Sequence, residues 1–319
     1  AMGPTLHWQN AEDRIRVSTW AIGSIRKFYS VGTGLEVPRF LSRRLDLKIE
    51  AAHLDMPQLD FYGEGPHSLK SQRTDYRRED TRFDLRLDWM AKSHLRPSCD
   101  IRQLLLNVGP GTSDAITSTN LKYGPAQAPG IDVQSNFLIG GCGLQVDFRD
   151  SADYPHKGTA LFLDYRRFAA ENLSQYSFNR ANGSVQQYIP FFNQKRVIVL
   201  RAAADMTFHN HNQVVPFYMQ PTLGGFSDLR GFRYVRFYDD NAFVMNAEYR
   251  WEVCTGLDMA LFADSGEVFH RPSQFSTSNL RNDVGFGFRF NTQRNLVMRV
   301  DTGFSREGFA VWIAFDKVF

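Results

Sequence analysis

The sequence has no long apolar run. No stretch of about eighteen apolar residues occurs in its 319 residues, and a helix that crosses a bilayer needs about twenty. The mean hydropathy is slightly negative, as in water-soluble proteins. These two findings exclude a helical membrane protein. They do not exclude a β-barrel, because only every second residue of a barrel strand contacts lipid.

Net charge and cysteine are also scarce. The formal net charge is only +3, which is too small to indicate a nucleic-acid partner. The cysteines Cys99, Cys142 and Cys254 are odd in number and far apart, so we predict neither a disulfide framework nor a cysteine metal site. Cys142 and Cys254 lie in strand-like runs, where we interpret them as small apolar fillers.

Motifs for catalysis or cofactor binding are missing as well. His209 and His211 lie two residues apart without a third ligand nearby in sequence, so we predict no metal site. The glycines at 109–112 lack the lysine of a phosphate loop. No serine, histidine and aspartate triad is readable from the sequence. We therefore predict no cofactor and no enzymatic activity.

The sequence is rich in aromatic residues and in alternation of apolar with polar residues. Aromatic side chains make up 14% of the chain, an abundance that suits a lipid-facing surface with aromatic girdles. A period of two residues predicts a β-strand. The segment 82–89 is an example, with an apolar face of Phe83, Leu85, Leu87 and Trp89 against a charged face of Arg82, Asp84, Arg86 and Asp88.

The same alternation recurs from end to end and predicts an all-β protein. Many runs reach about ten residues, the length that a tilted strand needs to cross a bilayer, whereas strands of soluble sheets average about five or six. The polar faces carry charges of both signs, as expected for a wet lumen. We predict an antiparallel transmembrane β-barrel of about fourteen strands, at 12–21, 24–38, 43–55, 76–92, 95–108, 133–149, 158–168, 176–191, 196–208, 241–253, 257–264, 282–291, 295–304 and 308–318.

Three segments between the predicted strands are rich in Gly, Pro, Asn and Asp and are predicted to be long loops. They are 57–75, 108–132 and 209–240. No domain boundary is visible, so we predict a single barrel domain over 1–319. Residues 1–3 look like a cloning remnant, and we expect the sequence to represent a mature or trimmed chain from which a signal peptide is gone.

The most specific signal is the segment 223–232, Leu-Gly-Gly-Phe-Ser-Asp-Leu-Arg-Gly-Phe. It is followed by Glu-Tyr-Arg-Trp at 248–251 and by Phe-Ala-Asp-Ser-Gly at 262–266. Over about 195–319, this order resembles the barrel of the BamA/TamA-like (bacterial surface antigen) superfamily. The family signature is an R-G-F/Y tip on a loop that folds back into the lumen, followed by F-x-D-x-G on the next strand pair. The resemblance implies an inward-folded loop at about 209–240 and sixteen strands.

The residue types of this motif explain how such a loop could be held. Arg230 is a cation expected inside a wet lumen, and the carboxylate of Asp264 can pair with its planar guanidinium in a forked geometry. Phe262 lies on the same strand face as Asp264 and offers a ring for a cation–π contact. Glycines let the loop bend inward and approach the wall. The candidate site comprises the loop residues Gly224, Gly225, Arg230, Gly231 and Phe232 and the wall residues Phe262, Asp264 and Gly266.

The last predicted strand, at 308–318, is the second feature shared with this family. With Phe315 and the terminal Phe319, it matches the aromatic end that outer-membrane assembly machinery recognises. The resemblance implies a weak seam between the first strand and this last strand, which opens to pair with a substrate strand. Family insertases also carry periplasmic POTRA modules, and none is readable here, so the resemblance covers the barrel alone.

The resemblance implies a non-enzymatic barrel of the bacterial outer membrane that inserts, assembles or translocates proteins, with lipids as a second substrate class. Expected partners are outer-membrane lipids and lipopolysaccharide, unfolded outer-membrane proteins or an accessory periplasmic subunit, and no nucleic acid. The alternative is a passive pore with a charged, loop-constricted lumen. A third hypothesis, an outer-membrane enzyme, requires a Ser or His cluster at one rim. The paired R-G-F and F-x-D-x-G motifs favour the first hypothesis, because a general porin does not need them.

Overall fold

The structure is a computed structural model that describes residues 4–9, 15–41, 44–292 and 295–315. Its main element is a fifteen-stranded antiparallel sheet, with strands joined in chain order except that β10 pairs with β13; β11 and β12 pair only with each other. The strands are β1 (Thr5–Gln9), β2 (Arg16–Gly23), β3 (Tyr29–Val37), β4 (Leu45–Phe61), β5 (Thr74–Trp89), β6 (Leu95–Pro110), β7 (Phe137–Asp147), β8 (Gly158–Ala170), β9 (Phe178–Phe191), β10 (Arg196–Phe208), β11 (Thr222–Leu223), β12 (Phe237–Tyr238), β13 (Asn241–Cys254), β14 (Leu257–Phe269), β15 (Arg281–Asn291), β16 (Leu296–Ser305) and β17 (Gly308–Ala314).

Helical structure in the described residues is confined to short connections. The α-helix α1 spans Thr119–Lys122, and short 3-10 turns lie at Lys70–Gln72, Ser174–Tyr176, Phe217–Met219, Pro272–Gln274 and Thr277–Asn279. Within the described ranges, no helix is both long enough and apolar enough to cross a membrane.

The sheet has its apolar side chains outside and many of its charges inside. On β5, Phe83 and Trp89 are each 51% exposed. On β15 and β16, by contrast, Arg289 and Asp301 are completely buried. This distribution is the reverse of that in a soluble protein, where charged side chains are almost never fully buried. It is the distribution expected when the outer face contacts lipid and the inner face lines a polar lumen.

One end of the sheet extends beyond the length that a bilayer requires. The strands β4, β5 and β6 contain 17, 16 and 16 residues, whereas about 9–11 suffice to cross. At this end the segments after β4, β6 and β10 pack over an apolar cluster that includes Phe61, Phe137 and Phe217. We call this end the loop side.

The prediction of an all-β antiparallel fold with 14–16 strands is confirmed. Each of the fourteen predicted segments overlaps a strand, and the fifteenth strand of the sheet is β1, which the alternation did not predict. The predicted loop at 57–75 is too long, because β4 continues to Phe61 past Pro57. The ladder between β4 and β5 shifts register between Met56 and Leu59, and such a bulge accommodates a proline that cannot donate a hydrogen bond.

The prediction that the cysteines form no disulfide is wrong for two of them. Cys99 and Cys142 lie directly opposite each other on β6 and β7 and are joined by a disulfide. The disulfide was not predicted because the two cysteines are 43 residues apart in sequence, and only the strand register brings them together. Cys254 is a free and exposed cysteine. The interpretation of Cys142 and Cys254 as small apolar fillers therefore fails for both, since Cys142 is in the disulfide.

Candidate functional site: an arginine lock inside the barrel

The long segment between β10 and β13 turns back against the inner face of β13–β17. Side chains alternate along each strand, so Glu248 on β13 and Asp264 on β14 point to this inner face, where both are nearly completely buried. The segment 223–232 lies against them. The structure therefore brings together the loop residue Arg230 and the wall residues Phe262 and Asp264.

Arg230 and Asp264 form a forked ion pair. The guanidinium donates from Nε and from Nη2 to the two carboxylate oxygens of Asp264, each at 2.8 Å. The backbone N–H of Arg230 also donates to Asp264, at 3.2 Å. Arg230 has no exposed surface and Asp264 has 1%. Three donors on one carboxylate fix both the position and the orientation of the loop tip.

Glu248 extends this pair into a network that the sequence argument missed. One Glu248 oxygen lies 2.5 Å from Arg230 Nη1 and 2.9 Å from Arg289 Nη2. The other oxygen accepts from Arg250 at 2.6 Å, and Arg289 continues to Asp301 at 2.7 Å. The only sequence signal was the Glu-Tyr-Arg-Trp run at 248–251, because the other arginine and aspartate come from separate strands.

The ring of Phe262 covers the face of the same guanidinium. The Cζ atom of Arg230 lies 3.5 Å from the ring centroid, a cation–π contact in a desolvated position. Burial alone would lower the pKa of the Arg230 guanidinium, but the hydrogen bonds and negative charges of Asp264 and Glu248 raise this pKa above its ordinary value. The loop tip therefore stays cationic at every pH at which the protein is folded.

Close backbone contact requires glycine on both sides of this site. A Cβ on Gly231 would lie 2.5 Å from Cβ of Asp283, and a Cβ on Gly303 would lie 2.5 Å from the carbonyl carbon of Arg230. Gly303, on β16, was not among the predicted residues. Gly224 and Gly225 have φ angles of 117° and 111°, which side-chain-bearing residues rarely adopt.

The remaining predicted residues pack around the loop. Phe232 is 1% exposed, and its ring centroid lies 5.2 Å from that of Phe237 in an apolar cluster with Leu223 and Val244. A Cβ on Gly266 would lie 3.0 Å from the Leu223 side chain, so this glycine admits the loop. Phe315 is exposed, whereas Phe319 and residues 1–3 lie outside the described residues.

The loop tip also contacts the last two strands. Trp312 on β17 donates from Nε1 to the backbone carbonyl of Arg230 at 2.8 Å. Ser305 on β16 donates to the carbonyl of Gly231 at 2.9 Å. In the turn between these strands, Glu307 pairs with Arg236 at 2.8 Å. The inward loop is thus joined to the whole terminal hairpin, β16–β17.

Comparisons with known proteins agree with this fold. The Omp85 superfamily domain matches residues 30–305. BamA from Haemophilus ducreyi lacking POTRA domains 1–3 superposes with a TM-score of 0.67 at 11% identity, covering 98% of this chain and 68% of that one. A comparison with curated protein sequences found no match.

Two further solved structures have the same fold. CdiB from Escherichia coli superposes with a TM-score of 0.58 at 13% identity, and CdiB from Acinetobacter baumannii with 0.56 at 11%. Each comparison covers 98% of this chain, which spans only 56% and 53% of the two CdiB chains. The fold is that of an integral outer-membrane β-barrel, and the chain belongs to the Omp85 superfamily.

Proposed function

We propose that this barrel inserts or translocates proteins at the outer membrane without enzymatic chemistry, and that a substrate strand pairs with the edge of β17 by β-augmentation. The observation that carries the proposal is the hydrogen bond from Trp312 on β17 to the carbonyl of Arg230. It joins the locked loop to the strand at the edge of the sheet. A passive pore needs no such connection.

The edge itself suits this role. In the described residues β17 pairs with β16 alone, and it contains seven residues against ten in β16. An edge strand presents unpaired N–H and C=O groups to another strand. Its outward side chains Phe309, Val311 and Ile313 are all more than half exposed, so an added strand would extend a lipid-facing surface.

Arg230 is held more strongly by β13 and β14 than by β17, while Arg236 holds the turn before β17 through its ion pair with Glu307. Buried ion pairs hold Arg230 to β13 and β14, and breaking such a pair costs roughly 3–5 kcal/mol. A hydrogen bond between neutral groups, as from Trp312, contributes only about 0.5–1.5 kcal/mol. We therefore propose that the loop stays locked while β17 moves to admit a substrate strand. The partners would be unfolded outer-membrane proteins or an accessory periplasmic subunit.

The proposal is tested by the folding rate of a second, urea-unfolded outer-membrane barrel in liposomes that contain this protein. We expect faster folding than in empty liposomes. Arg230→Ala should abolish the acceleration, because the loop tip would lose its anchor. Arg233→Ala is the matched control, since Arg233 is in the same loop and its side chain is half exposed.

Ion conductance recorded on the same liposomes separates the pore from the insertase. Acceleration that depends on Arg230 but not on Arg233 supports the proposal. Steady conductance without acceleration would overturn it in favour of a pore. Equal acceleration by wild type and Arg230→Ala would also contradict it, since the lock would then have no part in the activity.

A further inference from the structure

Histidine and aspartate side chains, which are of the types that can ligate a metal, come together from three strand ends at the loop side of the barrel. His209 follows β10, Asp239 and Asp240 precede β13, and His270 follows β14. Because β10, β13 and β14 are neighbours in the sheet, these positions are adjacent although they span more than sixty residues of sequence. A third ligand for His209 could not be predicted from its neighbours in sequence, because the other ligand-type residues are far away along the chain.

We propose that Asp239, Asp240 and His270 bind a divalent cation of the Zn²⁺ class, with His209 as a fourth ligand. One ligand atom each from Asp239, Asp240 and His270 lie within 4.8 Å of one another. Nδ1 of His270 is 3.0 Å from Asp240 and 3.6 Å from Asp239. Nε2 of His209 is 3.4 Å from the same Asp240 oxygen. The site is separate from the Arg230 lock and does not depend on the proposed function.

The hydrogen bonding of His209 supports a ligand role independently of the carboxylates. Its Nδ1 lies 3.1 Å from the backbone carbonyl of Asn210 and can only donate there. In the neutral ring, Nε2 then carries no hydrogen, and its lone pair faces the Asp240 carboxylate. Two acceptors therefore face each other. A metal-binding histidine usually donates its other ring N–H to a carbonyl or carboxylate in this manner. A cation between Nε2 and Asp240 would satisfy both acceptors.

The charge balance of the site also supports a bound cation. Asp239 and Asp240 are 5% and 2% exposed, and within the described ranges their ion pairs within 4 Å involve histidines only. Arg180 acts on Asp240 from further away, and its guanidinium is bonded to the carbonyl of Met219. Buried carboxylates are usually paired or bound to a metal, and in the described residues no arginine or lysine lies within 4 Å to balance these two charges as a bound cation would.

A buried amide beside the site provides a further polar atom. Gln220 is 7% exposed, and its Nε2 lies 3.4 Å from Asp240 and 2.5 Å from Glu64. Its Oε1 has no hydrogen-bond partner in the described residues.

The donor types identify the class of cation. Two carboxylate oxygens with one or two imidazole nitrogens suit Zn²⁺ and neighbouring transition metals, whereas Mg²⁺ and Ca²⁺ prefer oxygen ligands only. Such a cation would link both ends of the inward loop to the end of β14. His209 is the first residue of this loop, and Asp239 and Asp240 are its last. It would therefore fix the base of the loop, as Arg230 fixes the tip.

The test is calorimetric titration of the EDTA-treated, untagged full chain in detergent micelles with ZnCl₂ and, separately, MgCl₂. All proteins carry Cys254→Ser, because that exposed thiol could itself bind Zn²⁺. We expect one Zn²⁺ per chain, no Mg²⁺ binding, and affinity at least about tenfold weaker in His270→Ala and in His209→Ala. His211→Ala is the matched control, and its affinity should be unchanged.

Both histidine variants should fold, because His270 is half exposed and His209 lies at the surface. Folding is checked by the change in electrophoretic mobility on heating. Absorption bands of four-coordinate Co²⁺ that disappear in His270→Ala would support the proposal directly. No saturable Zn²⁺ binding below about 1 mM, or equal Zn²⁺ affinity in the parent and in both histidine variants, would overturn it.

Discussion

Arg230 holds its position through geometry that another cation cannot reproduce. Its planar guanidinium reaches both oxygens of Asp264 and one of Glu248 while it lies flat on Phe262. A lysine ammonium is a point charge that cannot span a carboxylate in a fork or stack on a ring in the same way. The wall residues are also too buried for water to replace a missing donor.

We therefore predict that Arg230→Ala and Arg230→Lys both release the loop tip. The alanine change leaves Glu248 and Asp264 with one counter-charge fewer, at a cost of roughly 3–5 kcal/mol. Limited proteolysis should cut the segment 209–240 much faster in both variants than in wild type. Arg233→Ala should be cut at the wild-type rate. Equal resistance of Arg230→Lys and wild type would mean that charge alone holds the loop.

A second prediction for a single residue concerns Gly303. A methyl group there would meet the Arg230–Gly231 peptide at 2.5–2.6 Å, closer than packed atoms approach. Gly303→Ala should displace the tip and destabilise the barrel to urea by about 1–3 kcal/mol. Gly140→Ala is the control, because a Cβ there has no atom within 4 Å. Equal urea midpoints for the two variants would show that β16 can move away without cost.

Among the elements, the terminal hairpin depends most on the loop. Trp312→Phe keeps a ring but removes the donor to the Arg230 carbonyl, and the loss of such a hydrogen bond costs about 0.5–1.5 kcal/mol. Amides of residues 296–315 should exchange with deuterium faster in this variant, whereas those of β13 should not change. Trp89→Phe, on the outer face of β5, should leave both regions as in wild type. Unchanged exchange in β16 and β17 would exclude the proposed coupling.

The hairpin β6–β7 is held by a covalent bond. The disulfide between Cys99 and Cys142 closes 43 residues of sequence, and a loop of that length corresponds to about 4 kcal/mol of lost entropy in the unfolded chain. Cys142→Ser should lower the urea midpoint, and a reducing agent should lower that of wild type but not that of the variant. An effect of the reducing agent on the variant would point to Cys254 instead.

The elements that were predictable from sequence are those defined by local alternation. The charged and apolar faces at 82–89 correspond to β5, with Phe83 exposed outside. The prediction failed where contacts between distant residues decide the structure. The strand β4 passes Pro57 because its partner β5 accommodates a bulge, and the Cys99–Cys142 bond depends on register.

In the candidate site, too, the features defined by local sequence could be predicted, and the contacts between distant residues could not. The order and spacing of the motif were enough to place Arg230 beside Asp264 and Phe262 in prediction. Gly303 and Trp312 lie on two other strands, and no sequence spacing links them to Arg230. Glu248 is part of the Glu-Tyr-Arg-Trp run at 248–251, but its contact with Arg230 was not predicted from that run. Their roles depend on the way the sheet curves around the loop.

For the whole molecule, charges buried inside and aromatic residues exposed outside suit the sheet to an apolar surrounding such as a bilayer. In the described residues the sheet has two edge strands, β1 and β17, and β17 is the one that we propose accepts a new strand. A locked loop inside and a short edge strand beside it are the two parts of the proposed insertion mechanism. The central claim is that a substrate strand pairs with β17.

The most direct test places a photo-reactive amino acid at Ile313 on β17 or, as control, at Leu163 on β8. Both side chains are exposed on the outer face, at 63% and 45%, but only β17 is at the edge of the sheet. Liposomes with each protein receive a urea-unfolded outer-membrane barrel and are irradiated while it folds. The account predicts cross-links to the substrate from position 313 and few from 163. Equal cross-linking at both positions, or none at 313, would contradict it.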